Sequence, residues 1–92
     1  MVKIIKLVTA EELIGEVIEN KKDITIKQPC AIAIIPTQSS LGQHSMGLIP
    51  YAGYTKDHSI NISNDKVVWS AEPATELYNK YNEIFGSGIQ IV

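Results

Sequence analysis

Arginine is absent from this chain of 92 residues: all eight of its basic side chains are lysine, set against ten Asp and Glu for a formal net charge of −2. Without arginine the chain lacks the planar fork suited to bidentate base or phosphate contacts, and an evenly acidic surface repels nucleic acid. Any binding of nucleic acid must therefore come from a local patch and must be salt-sensitive. A single cysteine, Cys30, excludes an internal disulfide; it lies in the apolar run Pro29 to Ile35, where a free cysteine serves as a small core residue. No apolar stretch approaches the roughly 20 residues that span a bilayer, and the opening residues carry no signal-peptide pattern. A cytoplasmic protein that engages no membrane is expected. The composition, 45% hydrophobic and 20% charged, is too apolar for a disordered chain. One small domain is expected over residues 1–92, with a modest core that self-association would enlarge.

What is present reads first as strand. Val2 to Thr9 is β-branched and apolar with Lys3 and Lys6 interleaved. Glu11 to Glu19 places Leu13, Gly15 and Val17 on one face and Ile14, Glu16 and Ile18 on the other. A strand apolar on both faces, with a glycine at its middle, suits the corner of a small barrel. Asn20 to Asp23 is a polar turn, and Ile24 to Ile35 resumes as a strand in which Pro29 marks a bulge or an edge. Thr37 to Ser45 is the longest polar loop. Met46 to Tyr54 forms another strand, interrupted by Pro50 and Gly53, and Ser59 to Ser63 and Lys66 to Ala71 flank a tight turn at Asn64 and Asp65.

The period changes at Pro73, which suits the first turn of a helix. Leu77, Tyr78, Tyr81, Ile84 and Phe85 recur at spacings of three and four, and Gly86 is a natural stop, so an amphipathic helix is expected from about 73 to 85. Ile89 to Val92 forms an apolar tail that should be covered. Together these elements predict a mainly β protein: a small, strongly bent barrel of about five strands followed by a C-terminal α-helix.

Leu7, Ala10, Leu13, Gly15 and Val17 resemble the first Sm motif, in which Leu, Gly, an apolar residue, Gly and a second apolar residue occupy these relative positions. Only Ala10 departs, standing where the first glycine would be, which suggests a turn of slightly different geometry. The strand-turn-strand from Ile60 to Ala71 falls where the family has its second motif. The helix and tail are similar to small Sm-like proteins of marine phage genomes, which would put the protein in a bacterial host cell. The resemblance implies a cyclic homo-oligomer, of about five to seven subunits, in which the strand edge of one subunit pairs with the next. It also implies single-stranded RNA as ligand. The family's pocket uses an Asp and an Asn about the turn between the second and third strands, and an Arg-Gly in the second motif. Counted from Gly15, Lys21 stands at the Asp position and Thr25 at the Asn position, while Asn64, Asp65 and Lys66 occupy the Arg-Gly turn. A shift of one or two residues recruits Asn20 or Asp23.

The candidate RNA-binding residues are thus Asn20, Lys21, Lys22, Asp23, Thr25, Asn64, Asp65 and Lys66. Ring symmetry would gather Lys21, Lys22 and Lys66 into a positive band; alternatively these are solvated turns whose charge is cancelled by Glu19, Asp23 and Asp65. Trp69, Tyr81 and Phe85 are expected in the core, whereas Tyr51 and Tyr54, with Lys56 beside them, are the aromatics available to an interface or ligand. His44 and His58 lack the spacing of a metal site, and Asp57, His58 and Ser59, being adjacent, do not compose a catalytic triad. Neither enzyme activity nor a cofactor or metal is expected. Two functions remain: a ring that binds RNA through many weak identical sites, or a non-catalytic oligomeric scaffold or phage accessory protein that kept the ring and lost the nucleotide pocket.

Overall fold

A computed structural model describes residues 1–36 and 44–85. The side chains of residues 35, 36, 44 and 45 lie outside that description, as do most of the expected polar loop at 37–45 and the apolar tail.

The protein is mainly β. Six antiparallel strands, β1 (Val2–Leu7), β2 (Glu12–Glu19), β3 (Asp23–Pro36), β4 (His44–Pro50), β5 (Ser59–Ser63) and β6 (Val67–Ala71), form one sheet, and helix α1 (Thr75–Phe85) follows. The spatial order is β4-β3-β2-β1-β6, with β5 also paired to β3. The expectation of about five strands and the six observed are reconciled by β3. This strand is 14 residues long and carries β5 along its first part, where Asp23 faces Ser63, and β4 along its second, where Cys30 faces Pro50. Strands β4 and β5 are collinear halves of one partner strand, parted by residues 51–58. The strand expected to reach Tyr54 therefore stops at Pro50.

The interruption lies opposite a bulge. Leu13 and Ile14 pair with Ala31 and Cys30, whereas Glu16 and Val17 pair with Lys27 and Ile26, so β3 has one extra residue where β2 has Gly15. Gln28 takes it up with φ 50°, and inward parity on β3 changes from Ile24 and Ile26 to Ala31. A bulge leaves main-chain groups without ladder partners. Here the Gln28 amide donates to His58 O (2.6 Å), the Tyr51 amide to Pro29 O (2.8 Å), and the buried Tyr81 hydroxyl to Gln28 O (2.9 Å). Burial pushes the Tyr81 hydroxyl up to about 12. Pro29 thus sits at a bulge, as one of its two sequence readings has it, in a strand paired on both sides.

The sheet bends so far that its concave face closes on itself. Ile5, Leu7, Leu13, Val17, Ile24 and Ile26 form one buried cluster, joined by Tyr51, Ile60 and Val67, so strands distant in the sheet order share one barrel-like core. The convex face is covered at one end by α1: Leu77 and Tyr81 pack on Ile14 and Cys30, flanked by Ile4, Ile32, Leu48 and Phe85. Cys30 is fully buried there, and burial pushes its thiol up to about 11.

Three sequence expectations are corrected. Trp69 is not core but 43% exposed. It lies on edge strand β6, where a register shift between Lys6 and Leu7 leaves Val67 to fill the core. The helix starts at Thr75 rather than Pro73, with its first bond from the Tyr78 amide to Ala74 O (2.9 Å). Its buried stripe is Leu77 and Tyr81 with Phe85 half-buried, at spacings of four, so Tyr78 and Ile84 face outward. Finally, Ala10 has φ 85°. The turn has the geometry a glycine would adopt, and alanine holds it.

Candidate nucleic-acid interface

The convex face that α1 leaves bare ends in two turns, and main-chain chemistry draws them together. The Asn20 amide donates to Asp23 O (2.9 Å), closing the turn from β2 to β3. Asn64 opens a 3₁₀ turn, Asn64–Lys66, between β5 and β6. Its main-chain amide donates to Lys22 O (3.0 Å) and its side-chain Nδ2 to Lys21 O (3.2 Å). The Val8 amide in turn donates to Lys66 O (2.9 Å), which anchors the far side of that turn. All eight candidate residues from the sequence therefore belong to one end of the molecule.

Their side chains divide into two groups. Lys21, Lys22 and Lys66 are exposed, and none takes part in an ion pair among the described residues. The acids that would cancel them are partly engaged elsewhere: Glu19 is 3.3 Å from Lys3 Nζ, and Asp23 Oδ1 accepts from Asn20 Nδ2 at 2.8 Å. Asp65 is exposed and acidic within the turn. The second group is polar and neutral. Asn20 Nδ2 also lies 3.4 Å from Thr25 Oγ1, and Thr25 Oγ1 donates to Asn61 Oδ1 at 2.8 Å.

Asn61 was absent from the sequence-derived set. Its signal was the alternation Ser59, Ile60, Asn61, Ile62, Ser63, in which the isoleucines face the core and Asn61 must face out. Ile18 was likewise passed over. It pairs with Thr25 in the β2–β3 register, as Thr25 pairs with Asn61 in the β3–β5 register. Ile18, Thr25 and Asn61 thus form one cross-strand row on the convex face, with Ile18 43% exposed.

Of two cavities, one flanks this end. This one, of about 240 Å³, lies between Ile5, Val17, Ile24 and Val67, with Lys3, Glu19 and Asn64 at its rim. A larger one of about 440 Å³ sits where α1 meets the sheet, beside Glu16, Lys27, Tyr81 and Phe85. The larger lies by the helix, away from the two turns.

In the turn between β1 and β2, the Tyr51 hydroxyl donates to Glu11 Oε2 (3.1 Å), and the Thr9 hydroxyl also donates to Glu11. Tyr54 is 93% exposed in the 51–58 loop, and Lys56 beside it is exposed. Among the described residues no three His, Cys, Asp or Glu side chains gather as metal ligands. No described helix is long and apolar enough to cross a membrane.

The fold and surface define a small, mainly β domain with a polar, lysine-bearing end. No protein-family model matches the chain, and no curated protein matches it.

Proposed function

We propose that this protein is an Sm-like subunit of a cyclic homo-oligomer, and that the ring binds single-stranded RNA at the end where Asn20–Asp23 and Asn64–Lys66 meet. The observation that carries the reading is the tie from Asn64 to Lys21 O and Lys22 O, which sets three exposed lysines beside a polar row able to meet a base. Repeated around a closed ring of about five to seven copies, that set becomes a band of positive potential on a chain whose net charge is negative.

Ring assembly is supported by two free edges. Among the described residues β4 and β5 pair only with β3, and β6 only with β1. Both edges carry exposed apolar side chains: Met46 and Ile49 on β4, Val68 and Trp69 on β6. Unpaired, apolar edges are an aggregation hazard that closure into a ring removes. The role is non-catalytic, needs no cofactor and belongs to the cytoplasm, of a bacterial host if the chain is phage-encoded.

Light scattering on the purified protein tests the ring, and a monomer at micromolar concentration overturns it. Fluorescence anisotropy with U-rich and A-rich oligonucleotides at low salt tests the ligand. A second reading, a scaffold ring or phage accessory protein without RNA, is favoured by the absence of arginine and the net charge of −2. Assembly without binding to any oligonucleotide would select it.

A further inference from the structure

We propose that the cavity of about 440 Å³ between α1 and the sheet is a binding site for a free aromatic α-amino acid in its zwitterionic form. The site needs neither ring assembly nor RNA. Its two walls differ in chemistry because they come from different elements. One is helical: Tyr78, Tyr81, Asn82 and Phe85, at spacings of three and four, set three rings along one stripe of α1. The other is the sheet, where Glu16 of β2 pairs in register with Lys27 of β3. The 51–58 loop adds Asp57. The bulge fixes that acid close to Lys27, because Ser59 pairs with Lys27 and the Gln28 amide donates to His58 O (2.6 Å). The volume lies within the range of about 300 to 1,000 Å³ usual for small-molecule sites.

Charge selects the ligand. Glu16 Oε1 lies 2.6 Å from the Met1 ammonium, so it is neutralised there and makes no ion pair with Lys27 although it faces it across the strands. Lys27 and Asp57 are both exposed, and neither takes part in an ion pair among the described residues. One cation and one carboxylate are thus left side by side on the sheet wall. A simple anion entering there would meet repulsion from Asp57, and a simple cation repulsion from Lys27. A molecule that carries an ammonium and a carboxylate on one carbon meets attraction at both. The helical wall selects the side chain. Tyr78 is 40% exposed and Phe85 half-buried, with the Tyr81 ring 5.0 Å from that of Phe85 and tilted by 43°. The Tyr81 hydroxyl is already committed to Gln28 O, so this wall offers ring surface rather than a hydrogen bond. A flat ring packed there gains offset or edge-to-face contact and covers apolar area that the fold leaves wet.

Titration calorimetry of the full-length protein with L-phenylalanine and L-tryptophan tests the site. The controls are 2-phenylethylamine, which lacks the carboxylate, and 3-phenylpropionate, which lacks the ammonium. Both amino acids should bind saturably, one per chain. Each control should bind about fivefold to tenfold more weakly than phenylalanine, the effect of one charge-assisted contact discounted for the exposure of its partner. Lys27→Ala should bring phenylalanine down to the level of phenylethylamine without weakening phenylethylamine itself. Asp57→Asn should do the same with respect to phenylpropionate, and Tyr78→Ala should weaken every ligand. All three residues are exposed, so the variants should melt as the parent does. Failure of the parent to bind either amino acid at millimolar concentration overturns the site and needs no variant to fold. Equal affinity for phenylalanine and its two controls overturns it as well. Undiminished binding of phenylalanine by both Lys27→Ala and Asp57→Asn would put the ligand elsewhere and sink the proposal.

Discussion

A Cβ placed on Gly15 would lie 2.5 Å from Cγ2 of Ile26 and 3.0 Å from the main-chain oxygen of Lys27. Ile26 is fully buried and the oxygen belongs to a paired strand, so neither can move away cheaply. Gly15→Val should therefore destabilise the fold by about 2 kcal/mol or more, in the range of strain and overpacking. Chemical denaturation measures this. An unchanged midpoint would mean that β2 and β3 are not pressed together at the bulge.

Ala10 supplies the converse. Its φ of 85° lies where side chains with a Cβ are strained. Ala10→Gly should relieve that strain, and after the greater flexibility of glycine in the unfolded chain a gain of about 0.5 to 1 kcal/mol should remain. A lowered melting temperature would contradict the geometry of this turn.

These two positions show how far the sequence was legible. The alternation of Leu13, Gly15 and Val17 against Ile14, Glu16 and Ile18 reported both faces of β2 correctly, because period-two patterning follows directly from strand geometry. The bulge was legible as one of two readings of Pro29, but the residue that takes it up was not: nothing in the Gln28 side chain demands the positive φ it adopts. Trp69 was misplaced for a related reason. Its place at apolar-face spacing in a strand argued for burial, but β6 is an edge strand, and which edge stays open is decided by pairing between distant segments. At the candidate site, the two turns could be identified one at a time, whereas the ties from Asn64 to Lys21 and Lys22 and from Thr25 to Asn61 join residues far apart in the chain.

The Tyr81 hydroxyl satisfies a carbonyl that the bulge leaves without a strand partner. Tyr81→Phe keeps the packing on Phe85, whose ring centroid is 5.0 Å away, and removes the hydroxyl from Gln28 O (2.9 Å) and from Lys27 O (3.3 Å). A loss of about 1 to 2 kcal/mol is expected, the cost of an unsatisfied buried acceptor. A loss indistinguishable from zero would show that water replaces the hydroxyl at Gln28.

The Glu11–Tyr51 bond makes stability depend on pH at both extremes. Hydrogen bonds from Thr9, from the Glu11 amide and from Tyr51 hold the Glu11 carboxyl below its ordinary 4.5. Its contribution is present above that value and is lost as pH falls through the lowered one. Tyr51 is raised above its ordinary 10.0, chiefly by its bond to Glu11. That contribution is present below 10.0 and is lost as pH rises through the raised value. Tyr51→Phe should therefore shrink both limbs without removing either, since Thr9 still bonds Glu11 and the raised Cys30 thiol and Tyr81 hydroxyl still titrate at the alkaline end. Denaturation midpoints across pH, compared with the parent, check this; superimposable profiles would refute the coupling.

If the ring binds RNA, the lysines of the two turns should carry its salt dependence. Lys21, Lys22 and Lys66 are exposed and make no ion pair among the described residues, so replacing all three by Ala removes charge with little effect on folding. Each phosphate neutralised on a single strand adds about 0.7 to the slope of log affinity against log salt, and symmetry multiplies the loss by the number of subunits in contact. The triple variant should remain a ring by light scattering, bind oligouridine far more weakly, and show a flatter slope. Were the triple variant to bind as the parent does with the same slope, the RNA path would run over another surface, and Tyr51, Tyr54 and Lys56 would be the next residues to replace.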